Sequence, residues 1–144
     1  MVADKMNQFA LMTTIMVPGD SVIKLSIPET LPQKLISGLC QFFQQYEIIR
    51  RAFLVQVKDD TTEEMPVMLI ALEVSLGYEK ERQQLISQLG RIALDYLEYN
   101  QSVDFYFLQS NGKGIDHFIV YHTQPFYQRK IGSWLRNTIA VKNC

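Results

Sequence analysis

The chain has 144 residues, 47% of them hydrophobic and 20% charged, and a formal net charge of -1 at pH 7. This length suits one domain with a single core, and the composition excludes the disordered and fibrous classes. The small net charge provides no general attraction to nucleic acid or to an anionic membrane. A membrane-spanning helix needs a run of about 18 apolar residues, and no run in this sequence approaches that length.

The N-terminal segment and the cysteines both indicate a chain that stays in the cytoplasm. The first residues carry Asp4 where a secretory signal peptide has basic charge, so we do not expect export. Cys40 lies within a helical pattern and Cys144 is the last residue, which gives neither a disulfide framework nor a metal-binding spacing. We therefore expect a cytoplasmic protein in a reducing environment.

The first predicted elements are a β-hairpin and a helix. Residues 11–17 form a run rich in β-branched residues and methionine, a turn signal follows at residues 18–20, and residues 21–27 alternate with one apolar face. The helix is predicted at residues 32–46, with a capping hydroxyl from Thr30 and a proline near its start. Its apolar stripe consists of Leu35, Ile36, Leu39, Cys40, Phe43 and Tyr46.

Two strands and an acidic loop come next. Residues 48–58 are predicted to form a strand with Phe53, Val55 and Val57 on its buried face. Residues 66–75 are apolar on both alternating faces except at Glu73, and this pattern favours a central strand that is covered on both sides. We expect the two strands to pair antiparallel across the loop that joins them.

The last predicted elements are a helix at residues 79–99, a strand at residues 103–108 and a segment that the residues alone leave ambiguous. Residues 115–122 fit a helical stripe, but residues 118–121 also form a good β run. The pattern therefore predicts an α/β (α+β) fold, with a mixed sheet of about five strands and two main helices.

A motif near the C-terminus resembles a known family. The sequence Pro125-Phe126-Tyr127-Gln128-Arg129-Lys130 is similar to the Pro-Phe-Tyr-x-Arg-Lys-like segment that ends the C-terminal domain of the enhanced serine sensitivity (SseB) family. Earlier segments, such as Arg51-Ala52-Phe53-Leu54, follow the order of that domain over about residues 15–132. The resemblance implies that residues 115–122 form a short helix, and it implies no reaction and no cofactor.

The resemblance also implies a domain organisation. We expect a single domain of this type over residues 1–144, with its core at about residues 11–132 and a C-terminal extension at residues 133–144. Members of the family usually carry a second, N-terminal domain, which we do not find in this sequence.

No catalytic, metal-binding or cofactor-binding constellation stands out in the sequence. His117 and His122 lack a glutamate at metalloprotease spacing and a nearby cysteine, so we interpret them as rim or capping residues. The sequence Asn111-Gly112-Lys113-Gly114 lacks the spacing of a phosphate-binding loop and is typical of a turn. We therefore expect no enzyme activity.

Charge is distributed unevenly, and it defines two candidate partner-binding faces. Residues 59–104 contain ten acids, whereas no acid occurs from His117 onwards. One face would place apolar anchors beside cations, a mixture that is enriched at interface hot spots; the alternative is that both rings close the core. It consists of Phe126, Tyr127, Arg129 and Lys130. The rival face is the acidic loop, with Asp59, Asp60, Glu63 and Glu64.

Two function classes follow from these observations. The first is a non-catalytic protein-interaction module of SseB type, one form of which is a small inhibitor or immunity protein that neutralises a toxin by binding it. Its acidic surface would suit a basic toxin, since charge complementarity speeds association. The second is a small-ligand-binding or enzymatic domain with a pocket near residues 125–127. We expect a protein partner rather than nucleic acid or a membrane, and a homo-oligomer remains open.

Overall fold

The computed structural model of the chain describes residues 13–17, 21–59, 61–63, 65–98, 101–109 and 112–129. The strands are β1 (Thr13–Val17), β2 (Ser21–Ser26), β3 (Ile49–Asp59), β4 (Val67–Val74), β5 (Val103–Phe107) and β6 (Tyr127–Gln128). The helices are α1 (Gln33–Gln45), α2 (Arg82–Tyr96) and α3 (Ile115–His122), and a 3₁₀ turn at Glu79–Glu81 leads into α2.

The strands form one mixed sheet with the spatial order β1-β2-β3-β4-β5. Neighbouring strands run antiparallel, except that β5 lies parallel to β4. The predicted fold class, a mixed sheet of about five strands with two main helices and a short C-terminal helix, is confirmed. The two-residue strand β6 was not predicted, because two residues are too short to show a period; it pairs with Arg51 and Ala52 of β3.

The central strand β4 is buried on both of its faces, as its sequence predicts. Ile70 and Leu72 pack in the core cluster that also contains the apolar stripes of α1 and α2. Ala71 points to the opposite cluster, where Phe118 and Ile119 of α3 cover the sheet. The sheet therefore has two helices on one face and one on the other, so burial on both faces replaces the hydrophobic-polar alternation of a half-exposed strand.

Strand β3 is also buried on both faces, which differs from the single buried face predicted for it. Phe53 and Val55 lie in the cluster beneath α3, whereas Ala52 and Leu54 lie in the cluster beneath α1 and α2. Only Phe53, Val55 and Val57 were predicted to be buried, because the local pattern does not show that a layer of helices covers the other face.

The predicted hydroxyl cap of α1 is wrong. Helix α1 begins at Gln33, its N-cap residue is Pro32, and no side chain caps it. The carbonyl of Pro32 accepts the first helical bond, from the Ile36 N–H group at 3.0 Å. Thr30 is exposed instead, and because proline fixes its own backbone in a conformation suited to a helix start, the helix begins without that hydroxyl.

The ambiguous segment at residues 115–122 is helical. Gly114 precedes α3 with φ 61, a backbone conformation that glycine adopts without the penalty of a side chain. Phe118 and Ile119 then face the sheet, while His117 and His122 are exposed. The helical period rather than the β run decides which of these residues are buried.

Candidate functional site

Phe126 and Tyr127 are core residues, which agrees with the alternative that both rings close the core. They are 2% and 0% exposed. Their ring centroids lie 6.1 Å and 5.2 Å from that of Phe43 in α1. Strand β6 places them there, because it pairs with β3 and brings the segment beneath α1. The two rings therefore belong to the core cluster beneath α1.

Arg129 binds the C-terminal end of α1 instead of standing in solvent. Its Nη2 group donates to the carbonyls of Phe43 at 2.8 Å and Tyr46 at 3.1 Å. Its Nε group donates to the carbonyl of Ile49 at 3.3 Å. A cation at this position adds hydrogen bonds to carbonyls at the end of the helix and complements the helix dipole. Lys130, the other predicted cation of this face, lies outside the described residues.

The acidic loop is only partly described. Asp59 accepts hydrogen bonds from the backbone N–H and the hydroxyl of Thr61, and these two bonds lower the pKa of the Asp59 carboxyl group. Glu63 is exposed. Asp60 and Glu64 lie outside the described residues. Asp59 thus closes a local turn, and both Asp59 and Glu63 are accessible to solvent.

A cleft of about 780 Å³ lies elsewhere, at the carboxyl ends of the parallel strands β4 and β5. We call it the β4–β5 cleft. Its walls come from the start of β3, the connection between β4 and α2, the segment after β5, and α3. In open sheets of this kind, ligands bind outside the carboxyl ends of parallel strands, so the fold places the cleft where binding sites are common.

One ion pair in the β4–β5 cleft is fixed by strand register. Arg51 and Glu73 are partners across β3 and β4. The Arg51 Nε and Nη2 groups donate to the two Glu73 oxygens at 2.9 Å and 2.7 Å. The guanidinium also lies 5.2 Å from the centroid of the Phe53 ring. The bidentate bond to Glu73 raises the pKa of Arg51, so both charges are already matched within the protein.

Asp116 is held by hydrogen bonds on the α3 side of the cleft. It is 4% exposed and accepts from the Tyr106 hydroxyl and from the Gln109 N–H group, the latter at 2.6 Å. Burial, followed by the bond to Asp116, raises the pKa of Tyr106 to about 12. A Cβ atom on Gly112 would lie 2.0 Å from the Cβ of Asp116, so this arrangement requires glycine. The carboxyl group therefore organises the loop before α3.

Arg82 is an arginine of the cleft whose side chain, like that of Arg50, forms no hydrogen bond or ion pair within the described residues. Its guanidinium lies 5.1 Å from the centroid of the Phe107 ring. Its Nε atom is buried without a hydrogen-bond partner, and within the described ranges Arg82 forms no ion pair. Glu79, three residues earlier, lines the same cleft but is exposed and does not contact this guanidinium through an ion pair.

Two large apolar side chains stand on the rim of the cleft. Leu76, in the connection from β4 to α2, is 81% exposed, and Tyr121 of α3 is 72% exposed. The ring of His117 lies 4.7 Å from that of Tyr121. His117 and His122 are 6.0 Å apart between ring centroids, and in the described part of the chain no group of three potential ligands could hold a metal ion.

Sequence reasoning missed this cleft because its residues come from five separate segments. A usable signal existed: Leu76-Gly77-Tyr78 directly follows the predicted central strand and exposes apolar residues in a turn. Gly77 has φ 92, and this conformation turns the chain at the mouth of the cleft.

Across the residues described, no helix has the length and hydrophobicity needed to cross a membrane.

Comparison with known proteins adds a family match. The family model of the SseB protein C-terminal domain matches residues 17–129. The chain is 32% identical over 119 residues to Protein SseB of Escherichia coli (strain K12) and to Protein SseB of Shigella flexneri. Each alignment covers 83% of this chain and 44% of the relative, so the chain spans less than half the length of these relatives. No solved structure matches the chain significantly.

Proposed function

The chain belongs to the SseB family, whose C-terminal domain it matches, and we propose a function for it. We propose that the chain is a non-catalytic protein-interaction module that binds its partner at the β4–β5 cleft. The exposure of Leu76 and Tyr121 beside the arginines of the cleft carries this proposal. Tyrosine and arginine are enriched at the centres of protein interfaces, and exposed apolar groups gain stability when a partner covers them.

The state of the acidic groups in the cleft supports binding rather than catalysis. Glu73 is occupied by Arg51, and Asp116 by Tyr106 and Gln109. A general acid or base must exchange protons with a substrate, and a carboxylate held by strong donors does so poorly. Glu73 and Asp116 therefore shape the cleft rather than act on a substrate.

One concrete form of this function is an inhibitor or immunity protein that neutralises a toxin by binding it. Glu63 and Asp59 lie outside the cleft and would offer acidic groups to a basic toxin. We therefore treat the acidic loop as the rival surface. If it is the binding face, Asp59→Asn with Glu63→Gln slows association and flattens its dependence on salt.

The test begins with capture of partners from the native host and continues with the purified partner. Binding of that partner is measured for the parent chain, for Leu76→Ser and for Leu94→Ser. Leu94 is the matched control, because it is 76% exposed on α2 and does not line the cleft. We expect Leu76→Ser to weaken binding about tenfold and Leu94→Ser to leave it unchanged. Equal affinities for the two variants would reject the cleft as the binding face.

The second candidate function is the binding of a small molecule. The volume of the β4–β5 cleft, about 780 Å³, lies within the range of roughly 300–1,000 Å³ that is typical of small-molecule sites. A thermal-shift screen against nucleotides, amino acids and metals separates the two candidates. A reproducible rise in the unfolding temperature with one compound, lost in Tyr121→Ala, would favour the small-molecule site over the protein interface.

A further inference from the structure

The charged groups of the β4–β5 cleft differ in how far their interactions are satisfied. Arg51 and Glu73 neutralise each other, and Asp116 accepts two hydrogen bonds. Arg82, by contrast, contacts the face of Phe107, and its buried Nε–H group finds no acceptor. A buried donor without an acceptor is unusual in a folded protein, and an acceptor supplied by a binding partner would satisfy it.

We propose that Arg82 is a specificity residue that binds the carboxylate of an aspartate or glutamate side chain of the partner protein. This inference rests on the proposed function and names the chemistry that the cleft recognises. An arginine guanidinium donates through a planar fork, so a carboxylate accepts two parallel bonds from it. Arg82 is half-buried and lines the cleft, so its guanidinium is accessible to a group that enters from that side.

The balance of charge in the cleft favours a carboxylate over a phosphate group. Three arginines, Arg50, Arg51 and Arg82, line the cleft, and three acidic residues, Glu73, Glu79 and Asp116, line it as well, so the two signs of charge are equal in number. A doubly charged phosphate therefore meets no excess of positive charge there. A carboxylate carries a single negative charge, and the N–H groups of one guanidinium, that of Arg82, are enough to bind it.

The position of the apolar rim indicates a side chain within the partner rather than a chain terminus. Leu76 and Tyr121 belong to two separate segments that line the cleft, the β4–α2 connection and α3. A continuous segment that crosses the rim covers both residues and sends one acidic side chain inward to Arg82. A chain terminus that ended at Arg82 would leave one wall of the rim uncovered.

The direct test uses the ¹⁵N-labelled chain and N-acetylglutamate α-amide, which carries a single side-chain carboxylate. We expect the Nε–H resonance of Arg82, assigned by its loss in Arg82→Lys, to shift and saturate at millimolar concentration. N-acetylglutamine α-amide, which is uncharged, should cause no shift. Arg91 is the internal control, because it is exposed nine residues further along α2 and lies outside the cleft. An unchanged Arg82 resonance at saturating probe would overturn the proposal.

Two further probes distinguish the kind of anion. If inorganic phosphate shifts the Arg82 resonance at lower concentration than the carboxylate does, the assignment to a carboxylate is wrong. If N-acetylleucine, which carries a terminal carboxylate, binds more than tenfold more tightly than N-acetylglutamate α-amide, the assignment to a side chain is wrong. The expected order is the glutamate probe first, then N-acetylleucine, then phosphate.

A second experiment separates failure of this inference from failure of the proposed function. Binding of the purified partner is compared for Arg82→Lys, Arg91→Lys and Leu76→Ser. Arg82→Lys keeps the charge but loses the fork, and we expect it to weaken binding about tenfold while Arg91→Lys has no effect. If Leu76→Ser weakens binding and Arg82→Lys does not, the inference fails and the interface stands. If Leu76→Ser also has no effect, the interface itself fails.

Discussion

Arg129 and Phe43 lie 86 residues apart in the sequence, yet the Nη2 group of Arg129 donates to the Phe43 carbonyl at 2.8 Å. The same carbonyl accepts from the Tyr127 hydroxyl at 3.2 Å. Strand β6 and the residue that follows it therefore anchor the end of α1. The C-terminal part of the domain contributes to the stability of a helix that forms near its start.

We expect Arg129→Ala to lower the free energy of unfolding by about 1.5–3 kcal/mol, the usual range for losing hydrogen bonds to a charged group. Urea denaturation measures this change. Arg91→Ala removes an exposed arginine from α2 and should change the stability by no more than about 0.5 kcal/mol. If the two variants are equally stable, Arg129 does not cap α1.

Ile70 tests the position of β4 at the centre of the sheet. It is 1% exposed, and Ile70→Asp places an unpaired charge in the core beneath α1 and α2. We expect a loss of several kcal/mol or failure to fold, seen in urea melts or in the yield of folded protein. Leu94→Asp is the exposed control and should melt close to the parent. An Ile70→Asp variant that is as stable as the parent would remove β4 from the core.

Gly112 and Gly90 should respond in opposite ways to alanine. A Cβ atom on Gly112 would overlap the Cβ of Asp116, so Gly112→Ala must move α3 or break the bond to Gln109, and we expect it to destabilise the protein. Gly90 lies within α2 with open space around it. Gly90→Ala should therefore stabilise the protein by about 0.5–1 kcal/mol, the usual gain for alanine in a helix. Thermal melts of both variants provide the measurement.

The raised pKa of Tyr106 predicts a dependence of stability on alkaline pH. The value rises from 10.0 to about 12 in the folded state, so the folded protein holds the phenolic proton more tightly than the unfolded chain does. This contribution is complete below pH 10 and is lost as the pH rises towards 12. We expect the difference in unfolding free energy between the parent and Tyr106→Phe to shrink over that interval.

A matched variant controls for the other tyrosines. Tyr121 of α3 is 72% exposed, and Tyr121→Phe removes its hydroxyl group. It should leave the alkaline dependence of stability as it is in the parent. A difference between the parent and Tyr106→Phe that stays constant from pH 9 to 12 would show that the proton of Tyr106 is not linked to folding.

Much of the fold was predictable because local periodicity encodes it. The two-sided apolar pattern of residues 67–74 requires a covered central strand, and the helical stripes of α1 and α2 supply the cover on one face. Cover on the other face comes from α3, whose local pattern fits two structures equally well. The resemblance to the SseB family, rather than the residues of this segment, gave the correct assignment of Ile115–His122 as a helix.

The sequence by itself determined the strands and helices other than α3 and β6, since they depend on neighbours within a few residues. Only the tertiary structure decided which way Phe126, Tyr127 and Arg129 face. Two aromatic rings followed by cations form the same local pattern in an exposed anchor and in a strand that closes a core. The choice depends on an available stretch of β3 and on carbonyls of α1 more than 80 residues away. The β4–β5 cleft arises in the same way, because only strand order brings Arg82, Leu76 and Tyr121 around one opening.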